Sequence, residues 1–123
     1  MSDTLESVSK AVIGIEHEII IVDDCSDDIE NLKLLLGSWP NVSLIEKESK
    51  SNAAVSRNIG IDASVGEYIF LLDSDDHFLP NYIKQRIEFM ETNNVDFAYG
   101  AYINVWSKQK KVVIEQPLSL IHI

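Results

Sequence analysis

Carboxylates gather at the ends of two apolar runs in this chain. Glu18-Ile19-Ile20-Ile21-Val22 leads into Asp23-Asp24, and Tyr68-Ile69-Phe70-Leu71-Leu72 leads into Asp73-Ser74-Asp75-Asp76. Short runs rich in β-branched and aromatic residues read as buried strands of a parallel sheet. Ligands of open α/β sheets bind in the crevice beyond the carboxyl ends of such strands. Carboxylates collected there repel one another unless a positive partner joins them. A divalent cation carrying phosphates is such a partner, because hard cations take oxygen ligands. Asp73-x-Asp75 alone is weak evidence, since acidic residues after a strand commonly solvate a loop or cap the next helix; Asp23-Asp24 alone is no stronger. Their equivalent placement after two strands is what points to a nucleotide- and metal-binding α/β domain.

The elements that must hold these acids follow from periodicity. Leu5, Val8, Val12 and Ile15 have helical spacing, with Asp3 and Glu6 placed as a capping box. After the strand over residues 18–22, Ser26 reads as the cap of a helix with Asp27 and Asp28 in its first turn, where negative charge suits the dipole. Ile29, Leu32, Leu35 and Leu36 form that helix's apolar face and Gly37 its end. A strand over 42–46 follows, then a helix from an Asn52 cap through Ala63 with Gly66 as its stop, then the strand over 68–72. Pro80 suits the first turn of a helix whose stripe is Ile83, Ile87 and Met90. Residues 95–105 and 111–115 read as strands joined by the turn 107–110. Alternating strands and helices predict a Rossmann-like, mostly parallel sheet in a single domain over 1–123.

Composition narrows the function. With 123 residues and 46% hydrophobic content the chain fits one domain with a core of its own. Its apolar runs are too short to span a bilayer and no secretory leader opens it, so a cytoplasmic site, with any membrane association supplied by other segments or partners, is the expectation. The net charge of −10 argues against nucleic acid or anionic lipid as a direct partner, and Lys108, Lys110 and Lys111 read as a solvated turn. The single cysteine, Cys25, excludes an intrachain disulfide and a cysteine-based zinc site, and reads as a small residue filling a tight turn. His77 beside the acids reads as solvent-facing rather than a ligand, and Trp39 and Trp106 read as packing residues.

Three segments together resemble family 2 glycosyltransferases. Residues 18–28 (EIIIVDDCSDD) are similar to that family's first nucleotide-contacting strand and turn. Residues 52–61 (NAAVSRNIGI) resemble its Arg-Asn-x-Gly helix, and residues 63–76 (ASVGEYIFLLDSDD), then Pro80, its strand and DxD loop. Order and spacing agree from about Leu5 to Tyr99. The resemblance implies a GT-A fold, a three-layer sandwich, and metal-dependent transfer of a sugar from a nucleotide diphosphate donor, UDP being the common one, to a saccharide or lipid-linked acceptor. Carried over by position, Asp24 matches the carboxylate that hydrogen-bonds the base. Asp73 matches the first DxD acid, near ribose and metal, and Asp75 the second, the usual ligand of Mn²⁺ or Mg²⁺. Arg57 adds positive charge near the diphosphate or forms a helix-surface salt bridge; Asn58 and Gly60 read as packing residues.

The sequence also departs from the family pattern. Cys25 stands where a Gly usually follows the Asp pair. The family's opening strand and its acceptor half, with the carboxylate that serves as base in inverting transfer, have no counterpart in these residues, so this chain is expected to be mainly the donor-binding half and the catalytic base to lie outside it. A sheet edge left open would favour a homo-oligomer. Two other classes share part of the pattern. A phospho-receiver domain would use the Asp23-Asp24 pair with Asp73 as phosphoacceptor, but lacks its later Thr or Ser and Lys-Pro, and gives Arg57-Asn58-x-Gly60 no role. A haloacid-dehalogenase phosphatase would use Asp73 and Asp75 but wants Gly-Thr where Asp76-His77 stands. A non-catalytic module that binds nucleotide, or only packs on a partner, would share every motif.

Overall fold

A computed structural model describes residues 1–100, 102–106 and 111–115. They fall into two compact units, Met1–Ile83 and Lys84–Ile123. The first holds α1 (Ser2–Ala11), β1 (Ile19–Asp23), α2 (Ile29–Leu36), β2 (Val42–Glu46) and α3 (Ala53–Ala63). β1 and β2 run parallel in register from Ile19↔Val42 to Asp23↔Glu46, with α2 as the crossover that parallel strands require. This βαβ arrangement is α/β and Rossmann-like. The register matters for the site, because it sets the residues that follow each strand side by side at one end of the pair. α3 packs against β1, with Gly60 close to Val22. Lys33 of α2 joins Glu46 of β2 at 3.0 Å. Leu5, Ala11, Val12 and Leu36 are the buried apolar residues of this unit, with Ile83 at its boundary.

The chain then enters α4 (Tyr82–Asn93), and the second unit carries β3 (Tyr102–Trp106) and β4 (Lys111–Glu115), an antiparallel pair. Among the described residues the sheets are thus one parallel and one antiparallel pair. The turn expected over 107–110 lies outside the described residues.

Several local expectations are corrected. α1 stops at Ala11, because Gly14 at φ +77 reverses the chain and leaves Ile13 exposed. Its capping box does not form: no side chain caps the helix, and Glu6 instead pairs with Lys10 one turn on, at 2.6 Å. Ser26 does not cap α2. Its amide donates to Asp23 Oδ2 at 2.9 Å, closing a turn in which Cys25 sits at φ 60, so the helix begins only at Ile29. Asn52 does cap α3, its Oδ1 accepting from the Val55 amide at 3.0 Å. That helix ends at Ser64, and Gly66 donates to Glu18 rather than stopping it.

The run over 68–72 forms no regular strand. It keeps a strand's alternation, with Tyr68, Phe70 and Leu72 half-buried and Ile69 and Leu71 exposed, but no ladder partner lies beside it among the described residues. Without that partner the apolar pattern alone does not make a sheet strand. The strand expected over 95–105 is shorter as well: Asn94 turns at φ 50, the buried Val95 donates back to Met90, and β3 starts at Tyr102.

Candidate functional site

The two residues of the Asp23-Asp24 pair have separate tasks. Asp23 is buried at 6% exposure and organises the turn after β1. Burial pushes its carboxyl up, but hydrogen bonds from the Ser26 hydroxyl and amide and from the Cys25 amide outweigh that and hold it below the ordinary range. Cys25 points its thiol at the Lys47 carbonyl, 3.2 Å away, so it serves the turn rather than any chemistry.

Asp24 is the residue presented outward. Its Oδ1 accepts from the Lys47 ammonium and from the Ser51 amide, the latter at 2.8 Å. These bonds, that from Lys47 foremost, draw its carboxyl below the usual range, with the nearby charges of Lys47 and Lys50 adding to the effect. Lys47 is itself enclosed, with its side chain 8% exposed, and also reaches the hydroxyls of Ser51 and Ser56. It occupies the first position after β2, as Asp24 does after β1, so the register Asp23↔Glu46 carries the two side by side. Sequence reasoning did not find Lys47 or Ser51; pairing the strands and reading one residue past both ends is the signal that finds the lysine.

The second acidic cluster begins at Asp73. Arg57 of α3 donates to Asp73 Oδ1 at 2.7 Å, an exposed pair in which both side chains stay about half in water. Asp73 starts a turn, its carbonyl accepting the Asp76 amide at 3.1 Å, and Asp75 is exposed at its crest. α1 holds this loop. The buried Thr4 donates its hydroxyl to the Ser74 carbonyl at 2.8 Å, and Ser7 Oγ accepts the Phe78 amide at 3.1 Å. Phe78 then stacks on Tyr82 with ring centroids 5.4 Å apart. Neither Thr4 nor Ser7 was legible as a site residue, since each acts across about seventy residues of sequence.

Helix α3 ties the clusters together: Ser56 touches the Lys47–Asp24 group and the next residue, Arg57, binds Asp73. α3 thus reaches Asp24 through Lys47 and Asp73 through its own Arg57. Asn58, expected to pack, is exposed, whereas Gly60 does lie against Val22. His77 is exposed, His17 bonds the Ile15 carbonyl at 2.8 Å, and the half-buried Trp39 lines a groove at the opposite end of β1.

The donor set can be tested against a divalent cation. Among the described residues no three His, Cys, Asp or Glu side chains stand together as a cage. Mg²⁺ is usually held by one or two carboxylates together with substrate phosphates and water, and Mn²⁺ shares its taste for oxygen. Asp73 and Asp75, both exposed, offer carboxylate oxygens of that type rather than an all-protein cage.

The described residues thus form an α/β unit with an acid after β1 and an α3 arginine paired to a second acidic loop. The chain matches the model of glycosyl transferase family 2 over residues 1–113, and it belongs to that family. It is 38% identical over 96 residues to an uncharacterised glycosyltransferase of Rickettsia conorii, covering 77% of this chain and 16% of that one. It is 33% identical over 102 residues to WfgD of Escherichia coli, named UDP-Glc:alpha-D-GlcNAc-diphosphoundecaprenol beta-1,3-glucosyltransferase, covering 83% of this chain and 40% of WfgD. It is 31% identical over 107 residues to TuaG of Bacillus subtilis (strain 168), a glycosyltransferase assigned by name to teichuronic acid biosynthesis, covering 81% and 42%. The chain thus spans less than half the length of these relatives. No solved structure matches it.

Proposed function

We propose that this chain is the donor-binding part of a metal-dependent, inverting glycosyltransferase that uses a nucleotide-diphospho-sugar, with UDP as the nucleotide. The observation that carries the reading is that adjacent residues of α3 link the two acidic clusters: Ser56 accepts from the Lys47 that binds Asp24, and Arg57 binds Asp73. In this reading Asp24 accepts a hydrogen bond from the base, Asp73 lies by the ribose and diphosphate, and Arg57 turns from Asp73 toward phosphate oxygens. Asp75 with Asp73 would hold Mn²⁺ or Mg²⁺, which when bound supplies neutralising charge for the leaving diphosphate. Arg57 suits the same end, because its planar fork matches phosphate and its present pairing is exposed and cheaply exchanged. Inverting transfer also needs a base for the acceptor hydroxyl, placed outside this chain. A saccharide acceptor, lipid-linked as WfgD's name states for WfgD, is the acceptor class we propose.

Comparing uridine with UDP tests the division of labour. Saturation-transfer NMR should show uridine contacts that vanish in Asp24→Ala and ignore Mn²⁺, while UDP contacts should strengthen with Mn²⁺ and depend on Asp75. Uridine contacts indifferent to Asp24 would refute the base assignment.

A further inference from the structure

Lys47 has no counterpart in the motifs that identify the family, yet its side chain is only 8% exposed where it binds Asp24. An ammonium carries three protons, and three acceptors face it: Asp24 Oδ1, Ser51 Oγ and Ser56 Oγ. Its donors are thus used within the protein, so it acts on a ligand only through Asp24. On Asp24 its effect is specific. Both Lys47 and the Ser51 amide bind Oδ1, and among the described residues Oδ2 receives no hydrogen bond. The side chain is 32% exposed, which leaves Oδ2 open to a ligand.

We propose that Lys47 is a positioning residue that fixes Asp24 as an acceptor-only group with Oδ2 outward, and so makes the site select bases that present an N–H there, uracil over cytosine. This rests on the reading of Asp24 as the base contact. Uracil carries a proton on N3, whereas neutral cytosine has a lone pair there, which would face the carboxylate lone pairs unpaired. A site built around one hydrogen-bonding partner discriminates strongly against an analogue that leaves it unsatisfied. Without Lys47 the carboxyl is free to turn and gains protons more readily. A protonated carboxyl both donates and accepts, and would tolerate cytosine. The other charged groups acting on this carboxylate are Lys50, from the loop before α3, and Asp23, from the end of β1.

The test uses the whole chain, titrated with UDP and CDP in the presence of Mn²⁺, alongside carboxyl-carbon NMR of Asp24 without nucleotide. In Lys47→Met the Asp24 titration midpoint should rise by about one pH unit or more. UDP affinity should fall about tenfold or more, and the UDP-over-CDP preference should narrow, most at acid pH. Lys47→Arg, which keeps the charge, should retain the preference; Lys47→Gln, neutral but able to bond both serines, should behave as Lys47→Met does and stands in for it if that variant does not fold. An Asp24 midpoint and base preference unmoved by loss of the charge would overturn the proposal while leaving the nucleotide reading intact. Failure of the unaltered chain to bind UDP would overturn the nucleotide reading, and the selectivity proposal with it.

Discussion

Adjacent carboxylates in this protein divide into one buried in a turn and one left partly exposed. Asp23 is spent on the turn after β1, and Asp24 is held by Lys47 and the Ser51 amide. Both carboxyls titrate below the ordinary range. A group whose folded pKa is depressed contributes stability that is whole above its unfolded value, about 3.9 for Asp, and is lost as pH falls through the folded value. The thermal midpoint should therefore be level from neutrality to about pH 5 and fall in the acid region below it; scanning calorimetry across pH checks this, and a midpoint that rises into acid would contradict it. Cys25 at φ 60 gives a second expectation. A β-branched side chain is strained in that region, so Cys25→Val should lose about 1–2 kcal/mol in urea titration, while Cys25→Gly should stay within about 1 kcal/mol of the parent. Arg57→Ala should change stability by no more than about 1 kcal/mol, since its ion pair is exposed, yet weaken UDP binding. The acidic clusters holding Asp24 and Asp73 stood out as carboxylates after apolar runs, and Arg57 was singled out by the family resemblance. Lys47, Ser51, Thr4 and Ser7 were not, because their roles exist only once strands and loops are side by side.

Elements with a complete local signal were legible, and those needing a neighbour were not. Strand β2 and helix α3 with its Asn52 cap carry their signals within a few residues. The run over 68–72 has an apolar pattern as strong as that of β1 but, among the described residues, lacks the ladder partner that β2 gives β1. What anchors its approach is Glu18, whose Oε1 accepts the amides of Val65 at 2.8 Å and Gly66 at 3.2 Å. Glu18→Ala should leave the fold standing but speed hydrogen exchange at those two amides severalfold; unchanged exchange would remove Glu18 from this role. Gly60 faces Val22 at an ordinary contact distance of 3.5 Å for an added Cβ. Gly60→Ala should thus fit and raise stability by up to about 1 kcal/mol through helix propensity, whereas Gly60→Leu should push α3 off β1 and lower it.

The whole molecule is an acidic chain of net charge −10, which would repel the polyanionic donor proposed for it. Its remedy is local: Lys47 and Arg57 near the acids, and a cation that the acids themselves would recruit. Among the described residues no helix is long and apolar enough to cross a membrane. The chain covers 16% to 42% of the three relatives named above. The most direct measurement is calorimetric titration of the folded chain with UDP, with and without Mn²⁺, repeated on Asp75→Ala. The account predicts binding that requires the metal and is lost in the variant while its fold remains. Metal-independent binding that survives in Asp75→Ala, or no binding by the well-folded chain, would contradict it.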